Sequence, residues 1–155
     1  MRVDAPTRFA VMLGILGAVF SVAVQAQIER NMITSNGLVV YYGIVPAAIV
    51  RGHPADHPER TMHRGASGSV DSEHLVVAVY EQTTGQRIEN AEISAFVARG
   101  AHRTQRTLEP MRINDVTSYG AYFEMPSPGD YRIDLSIRVP GRPMPVHARF
   151  EHRRR

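Results

Sequence analysis

The most constraining feature of the sequence is a strict two-residue alternation late in the chain. In the stretch YRIDLSIRV, residues 131–139, apolar side chains occupy the odd positions and polar or charged side chains the even positions. Successive side chains of a β-strand point to opposite faces, so this pattern is typical of an antiparallel strand with one face in a core and the other in water. A helix would instead need apolar residues three and four positions apart. The segment is therefore predicted to be a half-buried strand.

Shorter stretches of the same kind recur along the chain. Residues 146–150 alternate in the same way, residues 75–80 are apolar on both faces as in a central strand, and further predicted strands cover residues 38–45, 91–97 and 119–123. Clusters rich in Gly, Pro, Asn, Asp and Thr separate these strands, as turns do. No window keeps a helical apolar period over three turns. We therefore predict an all-β fold, an immunoglobulin-like antiparallel β-sandwich of about seven strands.

The first 26 residues are predicted to be a cleaved signal peptide. Arg2 and Arg8 supply its positive start, residues 9–20 form an unbroken apolar run, and residues 24–26 provide the small side chains expected before a cleavage site. The alternative is an uncleaved membrane anchor, but residues 9–26 are near the lower length limit for crossing a bilayer. The sequence therefore predicts export to the periplasm of a bacterium, with no stable membrane insertion after cleavage.

The remainder of the chain suits one domain rather than two. We predict a single β-sandwich domain over residues 27–152, with a long His-, Pro- and Gly-rich loop at residues 46–72, followed by a solvated basic tail at residues 153–155. There is no cysteine, so the core rather than disulfides must stabilise the fold. The formal net charge of +3 is spread along the chain without a basic helical face or interleaved aromatics, which argues against nucleic-acid binding.

The long loop and the strand after it collect candidate metal ligands. Four of the seven histidines lie between residues 53 and 74, and one of them, His63, directly follows Met62. Imidazole nitrogen suits copper and zinc, whereas thioether sulfur favours Cu(I). Because the chain has no cysteine, methionine is its only soft ligand. Five methionines remain after the predicted cleavage, all in predicted loops or near strand ends: Met32, Met62, Met111, Met125 and Met144.

Loops at one end of a β-sandwich converge, so ligands that are distant in the sequence can meet there. We predict that such a convergence forms a copper site. One or two thioethers with two imidazoles would suit Cu(I) best. The predicted ligands of this site are His63, His74, Met111 and Met62.

The competing interpretation is a polar loop that holds no metal. No spacing here equals a strong signature such as paired CxxC motifs. His53 and His57, each close to a proline, are then plain loop residues rather than ligands that deliver metal to the site. Met111 and Met125 would fill irregular gaps at the ends of the core, as methionine often does. Three further histidines are poor ligand candidates: His102, His147 and His152.

The sequence contains no recognisable catalytic motif. There is no serine in a nucleophile-elbow context, no HExxH motif and no glycine-rich phosphate loop, so we predict that the protein is not an enzyme. Acidic residues flank the histidines. In the metal interpretation they would orient the imidazole rings, and in the competing interpretation they are solvated loop charges. These residues are Asp56, Glu59, Asp71 and Glu73.

Two stretches resemble a known group of proteins. YEQTTGQRIENAEISAFV, residues 80–97, resembles a turn between two strands in exported bacterial immunoglobulin-like modules. The wider run from about His74 to Phe150, which includes YGAYFEMPSPGDYRIDLSIRV, resembles the YtkA-like and FixH-like small exported β-sandwich proteins. The resemblance covers about half of the chain. The resemblance implies a β-sandwich fold. It also implies copper as a bound metal, because some members of that group are linked with copper handling or with assembly of copper-containing oxidases.

Two functions from different classes follow from these features. The first is a periplasmic copper-binding module that acts in copper handling, delivery or resistance, with the metal ion as its partner. The second is a binding or scaffolding module without metal, attached to an envelope protein partner in a transporter or assembly complex. Tyrosines in and beside the predicted strands would supply the contact surface for that partner unless they pack on the core. They are Tyr41, Tyr42, Tyr119 and Tyr122.

Overall fold

The computed structural model describes residues 31–52, 69–113 and 115–155. These residues form eight β-strands and one short α-helix. In chain order the elements are β1 (Met32–Ser35), β2 (Leu38–Pro46), α1 (Ala47–Arg51), β3 (Ser72–Glu81), β4 (Glu92–Arg99), β5 (His102–Ile113), β6 (Val116–Glu124), β7 (Gly129–Arg138) and β8 (Val146–Arg154). The predicted signal peptide and residues 53–68 of the predicted loop lie outside the described residues. Within the described ranges, no helix has the length and apolarity needed to cross a membrane.

All strands belong to one antiparallel sheet in the order β1-β2-β3-β6-β5-β4-β7-β8. Strand β5 takes part in two ladders, since its residues 102–108 pair with β4 and its residues 109–113 pair with β6. One half of the sheet therefore contains β1, β2, β3 and β6, the other contains β4, β7 and β8, and β5 runs through both. The predicted all-β antiparallel fold is confirmed, with eight strands where about seven were predicted.

The two outermost strands approach each other and nearly close the sheet into a barrel. The Ser35 hydroxyl at the end of β1 donates a 2.7 Å hydrogen bond to the carbonyl oxygen of His147 in β8. Arg142, between β7 and β8, donates to the Asn36 carbonyl oxygen at 2.8 Å and forms an ion pair with Glu81 at the end of β3, also at 2.8 Å. The two halves of the sheet consequently face each other across one core.

The main core is built from the inward-facing residues of both halves. The alternation predicted for β7 is confirmed, because its residues Tyr131, Ile133, Leu135 and Ile137 are all buried in this core. The Tyr131 hydroxyl donates to the Ser127 carbonyl oxygen at 3.0 Å and accepts from the Ser127 N–H at 3.2 Å, which fixes the turn that leads into β7. Strand β3 contributes three more buried residues: Leu75, Val77 and Val79.

Three elements were not among the predicted ones. Strand β1 has only four residues, and helix α1 has five, which is too short to display a helical period. Among the described side chains of β5, only Leu108 and Met111 are buried, so this strand shows no apolar alternation in its sequence. Strand β5 is defined by its backbone pairing with β4 and β6 and not by an alternating sequence.

Strand β8 extends into the predicted basic tail. Arg153 and Arg154 pair with Asp130 and Gly129 of β7, so only Arg155 follows the strand. The side chain of Arg153 is exposed, but that of Arg154 is only 14% exposed. The physical reason is that Arg154 has acidic and carbonyl partners near the start of β3.

A second apolar cluster lies on the outer face of the sheet. Helix α1 packs Ala47 and Val50 against Tyr122 of β6, and all three side chains are buried. A helix of five residues has little stability of its own, so its packing on the sheet must hold it in place. This contact covers the part of the outer face where β6 runs beside β3.

Candidate metal centre

His74 lies on the outer face of β3, next to the second apolar cluster. It pairs with Val45 of β2 on one side and Tyr122 of β6 on the other, while its neighbour Leu75 faces the main core. The His74 side chain is fully buried, and its ring stacks on that of Tyr122 with centroids 4.5 Å apart and planes at 23°. Tyr122 is itself packed against helix α1. The stacked tyrosine ring therefore fixes the orientation of the imidazole ring.

Met111 approaches His74 from the other side of β6. It lies in the part of β5 that pairs with β6, opposite Ser118, and its side chain is 1% exposed. Unlike Met125, which is buried in the main core, Met111 does not belong to that core. Strand β6 therefore separates the two predicted ligands, and a contact between them must cross it.

Gly120 of β6 makes that contact possible. It pairs with Val76 of β3 and Glu109 of β5 and so lies between the two strands that carry the ligands. A Cβ atom at Gly120 would lie 2.8 Å from the Met111 methyl carbon and 2.9 Å from the His74 Nε2 atom. The Met111 methyl group and the His74 Nε2 atom therefore both border the space that the missing side chain leaves.

The structure thus brings two of the four predicted ligands together, although they are distant in the sequence. The other two, Met62 and His63, lie outside the described residues, as do His53 and His57. The identity of the metal ligands stays a prediction for all of these residues.

The imidazole and thioether side chains that border Gly120 carry donor types that suit copper in its reduced state. A thioether is a soft ligand and imidazole is of borderline softness, a combination that Cu(I) accepts and that calcium or magnesium does not. Both donors are neutral and both side chains are buried, and a monovalent cation costs less to bury beside neutral ligands than a divalent one. Among the described residues there is no group of three or more His, Asp or Glu side chains that could hold a metal ion, so that part of the chain offers no carboxylate-rich alternative.

The other described methionines occupy different environments. Met125 is fully buried in the main core, as the competing gap-filling interpretation requires for it. Met144, between β7 and β8, is 71% exposed, and Met32 in β1 is half-buried. Of the four described methionines, Met111 is the one that meets a histidine at Gly120.

The histidines predicted to be poor ligands have separate surroundings. The His102 Nε2 atom lies 2.8 Å from the Glu124 carbonyl oxygen, in hydrogen-bond contact, and the ring meets the edge of Tyr131. His147 is exposed on β8. His152 is half-buried, and both this burial and the positive charge of Arg154 lower its pKa below the ordinary value.

The acidic residues before His74 form ion pairs. Arg154 lies 2.9 Å from Asp71 and 3.4 Å from Glu73, measured between the Nη2 and Oδ1 atoms and between the Nε and Oε1 atoms. Burial raises the pKa of Glu73, and the neighbouring Arg154 opposes that shift. These two carboxylates are therefore partners of Arg154 rather than solvated loop charges, while Asp56 and Glu59 lie outside the described residues.

The tyrosines considered for a protein contact are mostly internal. Tyr119 and Tyr122 are buried, and Tyr42 stacks on Phe150 with centroids 3.7 Å apart. Tyr41 alone among the four is exposed, at 38%. Even this residue has an internal contact, since the rings of Tyr41 and Tyr80 lie edge to face with centroids 5.5 Å apart. All four tyrosines therefore contact the protein itself.

Three residues of this region were not predicted from the sequence: Gly120, Tyr122 as a stacking partner, and Arg154. Gly120 carried a usable signal, because a glycine in the interior of a strand often marks a close approach of other groups. Arg154 carried none, since its role depends on where β8 lies relative to β3.

Solved structures with a similar fold include proteins that bind copper. No protein-family model and no curated protein matches the sequence. A copper-bound variant of FetP from uropathogenic Escherichia coli strain F11 has a TM-score of 0.58 and 18% identity, with 79% of this chain and 92% of that chain covered. A copper-bound variant of Campylobacter jejuni P19 has a TM-score of 0.59 and 14% identity, with coverage of 80% and 93%. A DUF4426 family protein from Pseudomonas aeruginosa PAO1 has a TM-score of 0.58 and 15% identity, with coverage of 79% and 92%.

At these identities the likeness establishes a shared fold. The structural match extends over 92% and 93% of the compared FetP and P19 chains. The resemblance to YtkA-like and FixH-like proteins receives no support from these comparisons and stays a prediction.

Proposed function

We propose that this protein binds copper as Cu(I) through His74 and Met111, and that it serves copper handling, delivery or resistance in the periplasm. The observation that carries the proposal is that the His74 Nε2 atom and the Met111 methyl carbon lie 2.9 Å and 2.8 Å from the same point, the position that a Cβ atom at Gly120 would take. The similarity of its fold to those of copper-bound FetP and P19 variants supports the proposal.

The burial of the two donors favours Cu(I) over Cu(II). A water-excluded site with neutral imidazole and thioether ligands supplies no negative charge to offset a second positive charge on the metal. A thioether has no thiol group and forms no disulfide, so disulfide formation in an oxidising compartment cannot remove this ligand. Met62 and His63 are proposed as the remaining ligands on the sequence argument, and export rests on the predicted signal peptide at residues 1–26.

The decisive experiment is an anaerobic Cu(I) titration of residues 27–155 against a chromophoric Cu(I) chelator. Met111→Leu replaces the thioether by an apolar side chain of similar volume, and the matched control is Met125→Leu, which makes the same change at an equally buried residue of the main core. We expect Met111→Leu to weaken Cu(I) binding by about tenfold or more while Met125→Leu binds like the parent.

A second pair of variants tests the imidazole. His74→Gln should weaken binding as Met111→Leu does, whereas His102→Gln should leave it unchanged, with far-UV circular dichroism confirming that each variant is folded. If folded Met111→Leu and His74→Gln both retain the parental affinity, these residues are not copper ligands and the proposal is wrong. The same titration of Met62→Leu and His63→Gln tests the other two predicted ligands.

A further inference from the structure

One arginine of β8 holds the beginning of β3. The Arg154 side chain is 14% exposed, and its Nη2 atom donates to the Val70 carbonyl oxygen at 3.0 Å and to the Asp71 carboxylate at 2.9 Å. Its Nε atom lies 3.4 Å from the Glu73 carboxylate, whose side chain is buried. A single planar guanidinium thus bridges three groups within four consecutive residues, a geometry that lysine cannot reproduce.

The same segment, together with Ser69, is also tied to the end of β6. The Met125 N–H donates to the Asp71 carbonyl oxygen at 2.8 Å, and the Asp71 N–H donates to the Ser69 hydroxyl at 3.1 Å. That hydroxyl donates in turn to the Glu124 carboxylate at 2.8 Å. Residues 69–73 are therefore held from β6 and from β8 together, directly before His74.

The position of His74 depends on this entry into β3. Glu73 and His74 are consecutive, so the carboxylate that Arg154 binds faces the inside of the barrel while the imidazole faces the outside. Without Arg154 the buried Glu73 carboxylate would have no cation beside it, and its cost of burial would drive this end of the strand toward water. Such a shift would move the imidazole away from Tyr122 and Met111.

We propose that Arg154 is a positioning residue of the copper site, which acts by fixing the start of β3 and with it the imidazole of His74. This inference rests on the proposed function. It also gives a role to one arginine of residues 153–155, the segment predicted from the sequence to be a solvated tail.

The test compares two arginines that clamp opposite ends of the same strand. Arg142 binds Glu81 and the Asn36 carbonyl oxygen at the end of β3 remote from His74, so Arg142→Met serves as the matched control for Arg154→Met. Arg153→Met, a change at the exposed neighbour of Arg154, controls for loss of charge on β8. For each variant we would measure the melting temperature, the Cu(I) affinity by chelator competition, and the NMR signals of the histidine side chains without metal.

We expect Arg154→Met to weaken Cu(I) affinity by about tenfold or more and to shift the His74 imidazole signal. Arg142→Met should lower the melting temperature with unchanged affinity, and Arg153→Met should change neither. Arg154→Lys keeps the positive charge but cannot make all three contacts at once. Its Cu(I) affinity should therefore lie between that of the parent and that of Arg154→Met. This variant also provides the test if Arg154→Met does not fold.

Parental affinity and an unshifted His74 signal in the folded Arg154 variants would overturn the inference, as would an equal loss of affinity in Arg142→Met. These results differ from failure of the proposed function, in which the parent itself would bind no Cu(I) or Met111→Leu would bind as the parent does. In that case the metal-free His74 signal still reports whether Arg154 positions the imidazole.

Discussion

At the scale of single residues, Gly120 is what allows the candidate site to exist. Its backbone does not adopt a left-handed conformation, so the glycine is needed for space and not for backbone freedom. The space is bounded by the Met111 methyl group, the His74 imidazole and the Leu75 carbonyl oxygen, the last at 3.0 Å from a Cβ position. Two side chains can move, but a carbonyl in the middle of a sheet cannot.

Replacement of Gly120 therefore gives a sharp prediction. In Gly120→Ala the new methyl group would separate His74 from Met111, so we expect Cu(I) affinity to fall by about tenfold or more, and the free energy of unfolding to fall by about 1–3 kcal/mol from overpacking. Gly43→Ala is the control, because Gly43 pairs with the same Val76 from the other side of β3 and a Cβ there meets nothing within 4 Å. Chelator competition and urea denaturation measure both quantities. Unchanged affinity in folded Gly120→Ala would show that the two side chains do not share a metal.

The ligand chemistry could be read from the sequence, but the environment of each ligand could not. Met111 follows a proline and Met125 precedes one, so their sequence contexts look alike. In the structure Met125 fills the main core, whereas Met111 lies beside His74. The difference arises because β5 passes from one half of the sheet to the other just before Met111, which no local pattern reveals.

At the scale of secondary-structure elements, helix α1 is stabilised by packing on the sheet rather than by helix propensity. The helix has five residues and no side-chain hydrogen bond at its N-cap, so it should not persist by itself. Ala47 and Val50 bury against Tyr122, and Tyr122 stacks on His74. The helix thereby supports the ring that orients the candidate ligand.

Two substitutions within α1 separate packing from helix propensity. Val50→Ala removes buried apolar atoms, so we expect the free energy of unfolding to decrease by about 1.5–3 kcal/mol. Ile49→Ala changes a neighbouring residue that is 57% exposed, so its effect should stay within about 0.5 kcal/mol. Urea denaturation followed by circular dichroism measures both. Equal effects would mean that Val50 does not pack on the sheet as described.

The strand that the sequence predicts most clearly is one whose two faces differ in environment. β7 has the core on one side and solvent on the other, so Tyr131, Ile133 and Leu135 alternate with polar residues. β5 exposes most of its described residues and buries Leu108 and Met111, which leaves no periodic signal. Helix α1 was missed for a different reason, since one turn of helix cannot show a period. A sequence pattern thus reflects the environment of each face of a strand. A strand such as β5, in which few residues are buried and without a regular period, is not predicted from the sequence.

At the scale of the whole molecule, the candidate site joins strands that belong to different parts of the chain. His74 lies in β3 and Met111 in β5, and β6 runs between them. β5 is also the strand through which the two halves of the sheet are continuous. A metal bound by both residues would link β3 to β5 across β6. It would bind the folded state only, because the unfolded chain does not hold the two ligands together.

Copper should therefore stabilise the complete fold by mass action. With free Cu(I) at one hundred times its dissociation constant, we expect the free energy of unfolding to increase by about 2.7 kcal/mol. For a domain of this size that corresponds to a rise in melting temperature of roughly ten degrees, which excess chelator should reverse. Met125→Leu should show the same rise from its own baseline, and Met111→Leu should show little, because only the latter loses a ligand that the folded state brings to His74. Differential scanning calorimetry under anaerobic conditions measures the shift. An equal rise in both variants would place the stabilising copper elsewhere in the chain, since the linkage between metal and fold would then not pass through Met111.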